Sequence, residues 1–170
     1  GVKMQQRTVA LPPGRWFDLN RGAWLEGGRT VHYAAALNEL PLFVRDGAVV
    51  PYYAGPLHNS RMDLSTVELH LFCHDQPAQL DYLLDDRESQ RYQSGDFGIA
   101  CIAATIGNEL LRVEIAEAGS YPRDTVRFTP VVYGRPEVRE LELVINDHTE
   151  RRPLQAGQRE WLCQELAVWI

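Results

Sequence analysis

The chain has 170 residues with a net charge of −6, 45 % hydrophobic and 24 % charged. That balance supports a packed core with a solvated surface and excludes intrinsic disorder. The acidic charge, with no basic cluster, argues against a nucleic-acid or anionic-membrane partner, and no apolar run nears the roughly 20 residues that span a bilayer.

The N-terminus, Gly1-Val-Lys-Met, does not read as a natural start, so a fragment is expected and the lack of a leader carries no information. Residues 5–11 alternate and run into Pro12-Pro13-Gly14, a strand ending in a tight turn. Trp16, Phe17 and Trp24 flank Asn20-Arg21-Gly22, the pattern of a hairpin with aromatic faces. Trp16 reads as core, although an exposed ring could also serve as a sugar platform. Residues 29–36 predict a further strand.

The central stretch runs from Glu39 to Pro51. Two apolar bursts, Leu40 to Val44 and Ala48 to Val50, flank Arg45-Asp46-Gly47 and predict two short buried strands around a bend. Arg45 stands between buried neighbours, so it is expected to pair with a carboxylate or carbonyls and to anchor the structure, with a direct role in ligand binding as the alternative. From Tyr52 to Asp63 periodicity is lost and Gly55-Pro56 intervenes, which predicts a link between two units, 1–56 and 64–170.

Residues 66–74 alternate again. Val67, Leu69, Leu71 and Cys73 fall on one face, with Glu68, His70, Phe72 and His74 on the other. His70 and His74 lie about 13 Å apart in an extended strand, too far to chelate one metal. His32 and His58 are isolated, so no zinc spacing exists. A strand from Gln79 enters the acidic turn Asp85-Asp86-Arg87-Glu88-Ser89. Its aspartates suit backbone capping, and three acids in four residues also suit calcium, against which Arg87 supplies a competing charge.

Beyond Phe97 the sequence predicts a meander: strands at about 97–106, 109–116, 124–133, 138–146 and 161–170, with a two-residue turn at Gly107-Asn108 and others at Gly119-Ser-Tyr-Pro122 and Asn146-Asp147. Leu141, Leu143 and Ile145 alternate against Glu140, Glu142 and Val144. Cys73, Cys101 and Cys163 sit in apolar company and read as buried free thiols, favouring a reducing, cytoplasmic setting, with one disulfide left open.

The run Val9 to Asp18, then Gly27-Gly28, then Leu40 to Pro51 resembles the β-domain that follows the catalytic barrel in glycoside hydrolase family 31, the α-glucosidase and α-xylosidase family. The second half resembles the family's distal C-terminal β-domain, on Leu84-Asp-Asp-Arg-Glu-Ser89, Tyr92, Gly95 and Gly119-Ser-Tyr-Pro122. It departs at Arg87, where the family's turn usually has Gly. The resemblance implies an all-β chain of two small antiparallel, sandwich-like units, a truncated proximal one at 1–56 and a distal one at 64–170.

In this family the barrel supplies the paired acids of glycoside hydrolysis, which in a retaining enzyme face each other across roughly 5–5.5 Å. No barrel motif can be matched here, and Asp85, Asp86 and Glu88 lie on a surface turn with nothing to make one a proton donor. No residue is therefore assigned a catalytic, cofactor-binding or metal-ligating role. The expected function is a non-catalytic C-terminal fragment bracing the barrel of an α-glucosidase-type parent, with carbohydrate or a second copy as further partners. A stand-alone carbohydrate-binding module and a protein–protein interface domain are the alternatives. A fragment cut from a barrel should strand Trp16, Phe17, Trp24, Leu42, Phe43 and Tyr52, and its first unit should be the less stable.

Overall fold

The structure, a computed structural model, describes residues 4–37, 39–53, 57–58, 61–62, 66–84, 89–119, 127–146, 148–153 and 162–165. It is all-β. The strands are β1 (Met4–Leu11), β2 (Arg15–Asp18), β3 (Ala23–Glu26), β4 (Arg29–Ala36), β5 (Phe43–Arg45), β6 (Ala48–Tyr53), β7 (Leu57–His58), β8 (Arg61–Met62), β9 (Thr66–Phe72), β10 (Ala78–Leu84), β11 (Gly98–Gly107), β12 (Leu110–Gly119), β13 (Arg127–Tyr133), β14 (Glu140–Ile145), β15 (His148–Pro153) and β16 (Leu162–Glu165). One 3-10 turn, Arg91–Ser94, interrupts them.

Nine strands form one sheet in the order β15-β14-β12-β11-β10-β6-β9-β13-β16. Its inner face curls around a single core, because period-2 alternation sends every second side chain inward. Val67, Leu69, Leu71 and Cys73 of the β9 region are all buried, as the alternation predicts, and they meet Ile102, Val113, Ile115, Phe128 and Leu141. On β11 the inward residues are Ala100, Ile102 and Ala104, which puts Cys101 on the outer, exposed face. Cys101 is therefore not the buried thiol expected of it, whereas Cys73 is. The side chain of Cys163 lies outside the described residues.

The sheet is mixed rather than purely antiparallel. β12 runs parallel to β14, β13 parallel to β9, and β10 meets β6 in a parallel bridge. The chain therefore does not meander from strand to neighbouring strand after Phe97: β13 leaves β12 and crosses to β9. β15, absent from the expected set, pairs with β14. The β11–β12 turn is centred on Asn108-Glu109, one residue later than expected, with both residues at positive φ (49° and 64°), the combination a type I′ hairpin requires.

Strand β6 bridges the expected division of the chain. It precedes the link in sequence, yet it is antiparallel to β9 from Ala48↔Phe72 to Tyr53↔Val67, in the middle of the large sheet. Local periodicity shows where a strand ends but not which distant strand completes its ladder.

The remaining N-terminal strands make smaller sheets: β1 with β4, and β3-β2-β5. β2 seats on the outer face of β9 and β13 through a second core of Phe17, Phe72, Val131 and Tyr133, with Trp24 and Val44 packed against it. Phe17 is wholly buried there, edge-on to Trp24 and Tyr133. It is thus not among the stranded aromatics that the sequence predicts. Full burial of such a ring is worth about 1.5–3 kcal/mol.

Candidate functional site

The bend Arg45-Asp46-Gly47 holds the two halves of the chain together, but through Asp46. Arg45 is exposed, because it ends β5 pointing away from the core, and so it is not the buried anchor expected of it. The Asp46 carboxylate accepts backbone N–H groups from His74 (2.7 Å), Asp75 (2.8 Å) and Gln76 (3.2 Å). Gly47, at φ 89°, donates its N–H to Phe72 O and closes the bend. Arg135 donates to the carbonyls of Cys73 and His74, both at 3.0 Å. Arg15 pairs with Glu26 and lies 3.3 Å from Asp75. His74 and Arg15 together hold the Asp75 carboxyl below its usual range. The corner at 74–76 is thus fastened from β2, from the bend before β6 and from the loop after β13. A charged cleft of about 580 Å³ beside it includes Arg15, Glu26, Arg45 and Asp75.

A larger cavity, of about 720 Å³, opens on the outer face of β6, β9 and β13. Its walls are Leu19, Asn20, Leu42 and Val44 on one side and Val50, Tyr52 and Tyr53 on another, with Glu68, His70, Phe72 and Tyr133 completing it. The placement follows from strand parity. Once Val67, Leu69 and Leu71 turn inward, Glu68, His70 and Phe72 must face out. The β2–β3 hairpin covers Phe72 and leaves Glu68 and His70 uncovered by it. Leu42 (48 %), Val50 (39 %) and Tyr52 (62 %) are large apolar residues left open to solvent, and Leu37 and Leu40 are exposed on the neighbouring segment.

A chain of rings runs from the rim inward. Tyr52 contacts His70 at 5.4 Å, His70 contacts Tyr133 at 5.5 Å, and Tyr133 stacks on Phe72 at 4.4 Å. Both imidazole nitrogens of His70 are engaged: Nδ1 lies 2.6 Å from the Tyr133 hydroxyl and Nε2 lies 2.9 Å from Glu68 Oε2. Since a carboxylate only accepts, Nε2 donates to Glu68, and in the neutral ring Nδ1 then accepts from Tyr133. The opposite wall is fixed by Asn20, which donates to Glu39 Oε1 and Leu40 O. That bond, with the Ala36 amide, holds the Glu39 carboxyl below its usual range. Behind it Asp18, wholly buried, accepts the Asn20 and Arg21 amides and the Tyr33 hydroxyl.

The residues singled out from sequence therefore separate. His70 lines the groove as part of a hydrogen-bonded row, while His74 belongs to the fastened corner and meets Trp24 edge-on. Trp16 is half-buried and donates to Pro12 O; Trp24 donates to Gly134 O. Leu42 and Tyr52 are exposed as expected, and Phe43 is half-buried. Asp85, Asp86, Arg87 and Glu88, the candidate calcium turn, lie outside the described residues, as do the loop at 120–122 and the side chain of His58. Among the described residues no group of three or more His, Cys, Asp or Glu side chains is placed to hold a metal. Sequence reasoning did not find the Glu68–His70–Tyr133 row, because Tyr133 comes from a strand 63 positions away.

Fold and groove together define an all-β unit, a curled mixed sheet carrying the small β3-β2-β5 sheet on its outer face and an open apolar groove beside it. Residues 2–50 match the glycosyl hydrolase family 31 C-terminal domain. The chain is 27 % identical over 128 residues to a 1,6-alpha-glucosyltransferase of Sporosarcina globispora, covering 68 % of this chain and 9 % of that protein. It is 31 % identical over 98 residues to an alpha-xylosidase of Saccharolobus solfataricus, covering 55 % and 13 %. The chain spans only 4–15 % of the length of the curated relatives it matches. In fold it is similar to the GH31 alpha-xylosidase of Xanthomonas citri (TM-score 0.61, 20 % identity, 97 % of this chain and 17 % of that one). It is likewise similar to the alpha-1,4-glucan lyase of Gracilariopsis lemaneiformis (TM-score 0.67, 16 % identity, 91 % and 17 %).

Proposed function

We propose that this chain is a non-catalytic C-terminal part of a family 31 α-glycoside hydrolase of the α-glucosidase type, and that its groove seats the catalytic barrel of the parent. The observation that carries this reading is the exposure of Leu42, Val50 and Tyr52 in one apolar groove. Contiguous apolar surface of this kind marks an interaction site, and covering it recovers about 25 cal/mol per Å². The chain's small share of its relatives' length supplies an occupant, since most of each such enzyme lies outside the matched part.

The proximal and distal units, 1–56 and 64–170, build the groove jointly. The first supplies its wall, and the second supplies Glu68, His70 and Tyr133. β6 belongs to the first by sequence and to the second by hydrogen bonding. A carbohydrate-binding module would instead need two or three coplanar exposed rings. Of the two tyrosines exposed among the described residues, Tyr52 lines the groove and Tyr92, on the 3-10 turn, does not. The test is association of this chain with the parent's catalytic part produced as a separate polypeptide. Wild-type chain should bind, and Leu42→Asp should weaken binding at least tenfold; equal binding by the two contradicts the proposal.

A further inference from the structure

The groove is apolar, yet its floor holds a carboxylate. Glu68 uses Oε2 for His70, and no partner of Oε1 is found among the described residues. Its side chain is only 18 % exposed. Among the described residues none that lines the groove is Arg or Lys. His70 does not discharge the requirement while neutral, because it donates one hydrogen bond through Nε2 and spends Nδ1 on Tyr133. An open groove leaves Oε1 to water. A dry apolar cover would strip that water and leave a carboxylate buried without a cation, at a cost of several kcal/mol.

We infer that the surface covering this groove inserts an arginine, whose guanidinium lies against the Tyr52 ring and pairs with Glu68. This rests on the docking reading above and specifies the chemistry of its partner. Three features select arginine. The charge must be positive to match Glu68. The approach passes Tyr52, exposed and in ring contact with His70, and a planar guanidinium stacks on an aromatic face as it reaches inward. The walls Leu42 and Val50 accept an aliphatic stem. Asn20, whose amide is already held by Glu39 and Leu40, adds no competing cation.

The inference is tested on the 170-residue chain with small probes. N-acetyl-arginine amide should shift the backbone amides of Val50, Tyr52, Glu68 and His70 saturably in nuclear magnetic resonance spectra, with a low-millimolar Kd or tighter. N-acetyl-citrulline amide, of the same shape without the charge, should bind at least tenfold more weakly. Glu68→Gln should remove the difference between the two probes. Equal binding of both probes, the absence of a saturable shift at these four amides, or an unchanged preference in Glu68→Gln overturns it. Should Glu68→Gln unfold, the two-probe comparison on wild type still decides. If Leu42→Asp keeps full association with the catalytic part, the docking reading itself fails. If Leu42→Asp loses association but wild type does not discriminate the probes, only the arginine fails.

Discussion

The carboxylate of Asp46 reaches the corner that follows β9 and accepts the His74 amide at 2.7 Å, with the amides of Asp75 and Gln76 on its other oxygen. One side chain from the N-terminal third thus terminates a strand of the large sheet. Removing it leaves three donors without their acceptor. Asp46→Ala should cost about 1–3 kcal/mol, read as a lower urea midpoint, and Asp46→Asn should cost less because it keeps an acceptor. Equal stability of wild type and Asp46→Ala would contradict this role.

Gly134 makes a second joint between the small sheet and the large one. It sits at φ 63°, and a Cβ there would fall 2.6 Å from Phe17 Cε2 and against the Trp24 indole nitrogen, both in close-packed surroundings. Gly134→Ala combines backbone strain with overpacking and should destabilise by about 2–4 kcal/mol. Tryptophan emission should change in step, since Trp24 donates to the carbonyl of this residue. A variant as stable as wild type, with unaltered emission, would show that the hairpin is not seated as described.

Much of the architecture was legible in the sequence. Alternation placed Val67, Leu69, Leu71 and Cys73 inward because one buried face fixes strand parity. The β2–β3 hairpin followed from its turn residues. What stayed hidden depends on distant strands. Glu142 alternates with Leu141 and Leu143 and so reads as solvent-facing, yet it is buried. The register sets Arg112 of β12 and Arg151 of β15 on either side of it, and both guanidiniums bond to it. Likewise Arg45 and Asp46 are adjacent charges at a bend, and only the partner corner at His74 decides which faces inward. The groove was half legible: Leu42 and Tyr52 were expected at the surface, but Glu68, His70 and Tyr133 meet only through the parallel pairing of β9 with β13.

Glu142 gives a pH dependence with a definite sign. The Arg151 hydrogen bond, against the cost of burial and with help from Arg112, holds its carboxyl below the ordinary value of 4.5. A group whose pKa is lower folded than unfolded adds stability above the unfolded value, and that stability is lost as pH falls through the folded one. The urea midpoint should therefore drop as pH is taken below about 4.5, and Glu142→Gln should flatten that slope. A slope as steep in Glu142→Gln as in wild type would contradict the assignment.

Burial pushes the Cys73 thiol up to about 11, and its sulfur lies 3.6 Å from Ala104 O. Cys101 is exposed on β11, where its bond to Asp81 also raises its pKa. Since thiolate is the reactive form, Cys101 should alkylate slowly at neutral pH and Cys73 only on unfolding. Peptide mass mapping during iodoacetamide labelling checks the order; Cys73 labelling first would mean that the inner core opens before the outer face reacts.

The central claim is that the groove is covered in the parent enzyme. Hydroxyl-radical footprinting of this chain alone and of the same residues within the full parent chain tests it directly, because oxidation of Leu42, Val50 and Tyr52 follows their solvent access. The account predicts that all three fall severalfold in the parent while Tyr92, outside the groove, keeps its rate. Equal oxidation of Leu42 and Tyr52 in the two samples would contradict it.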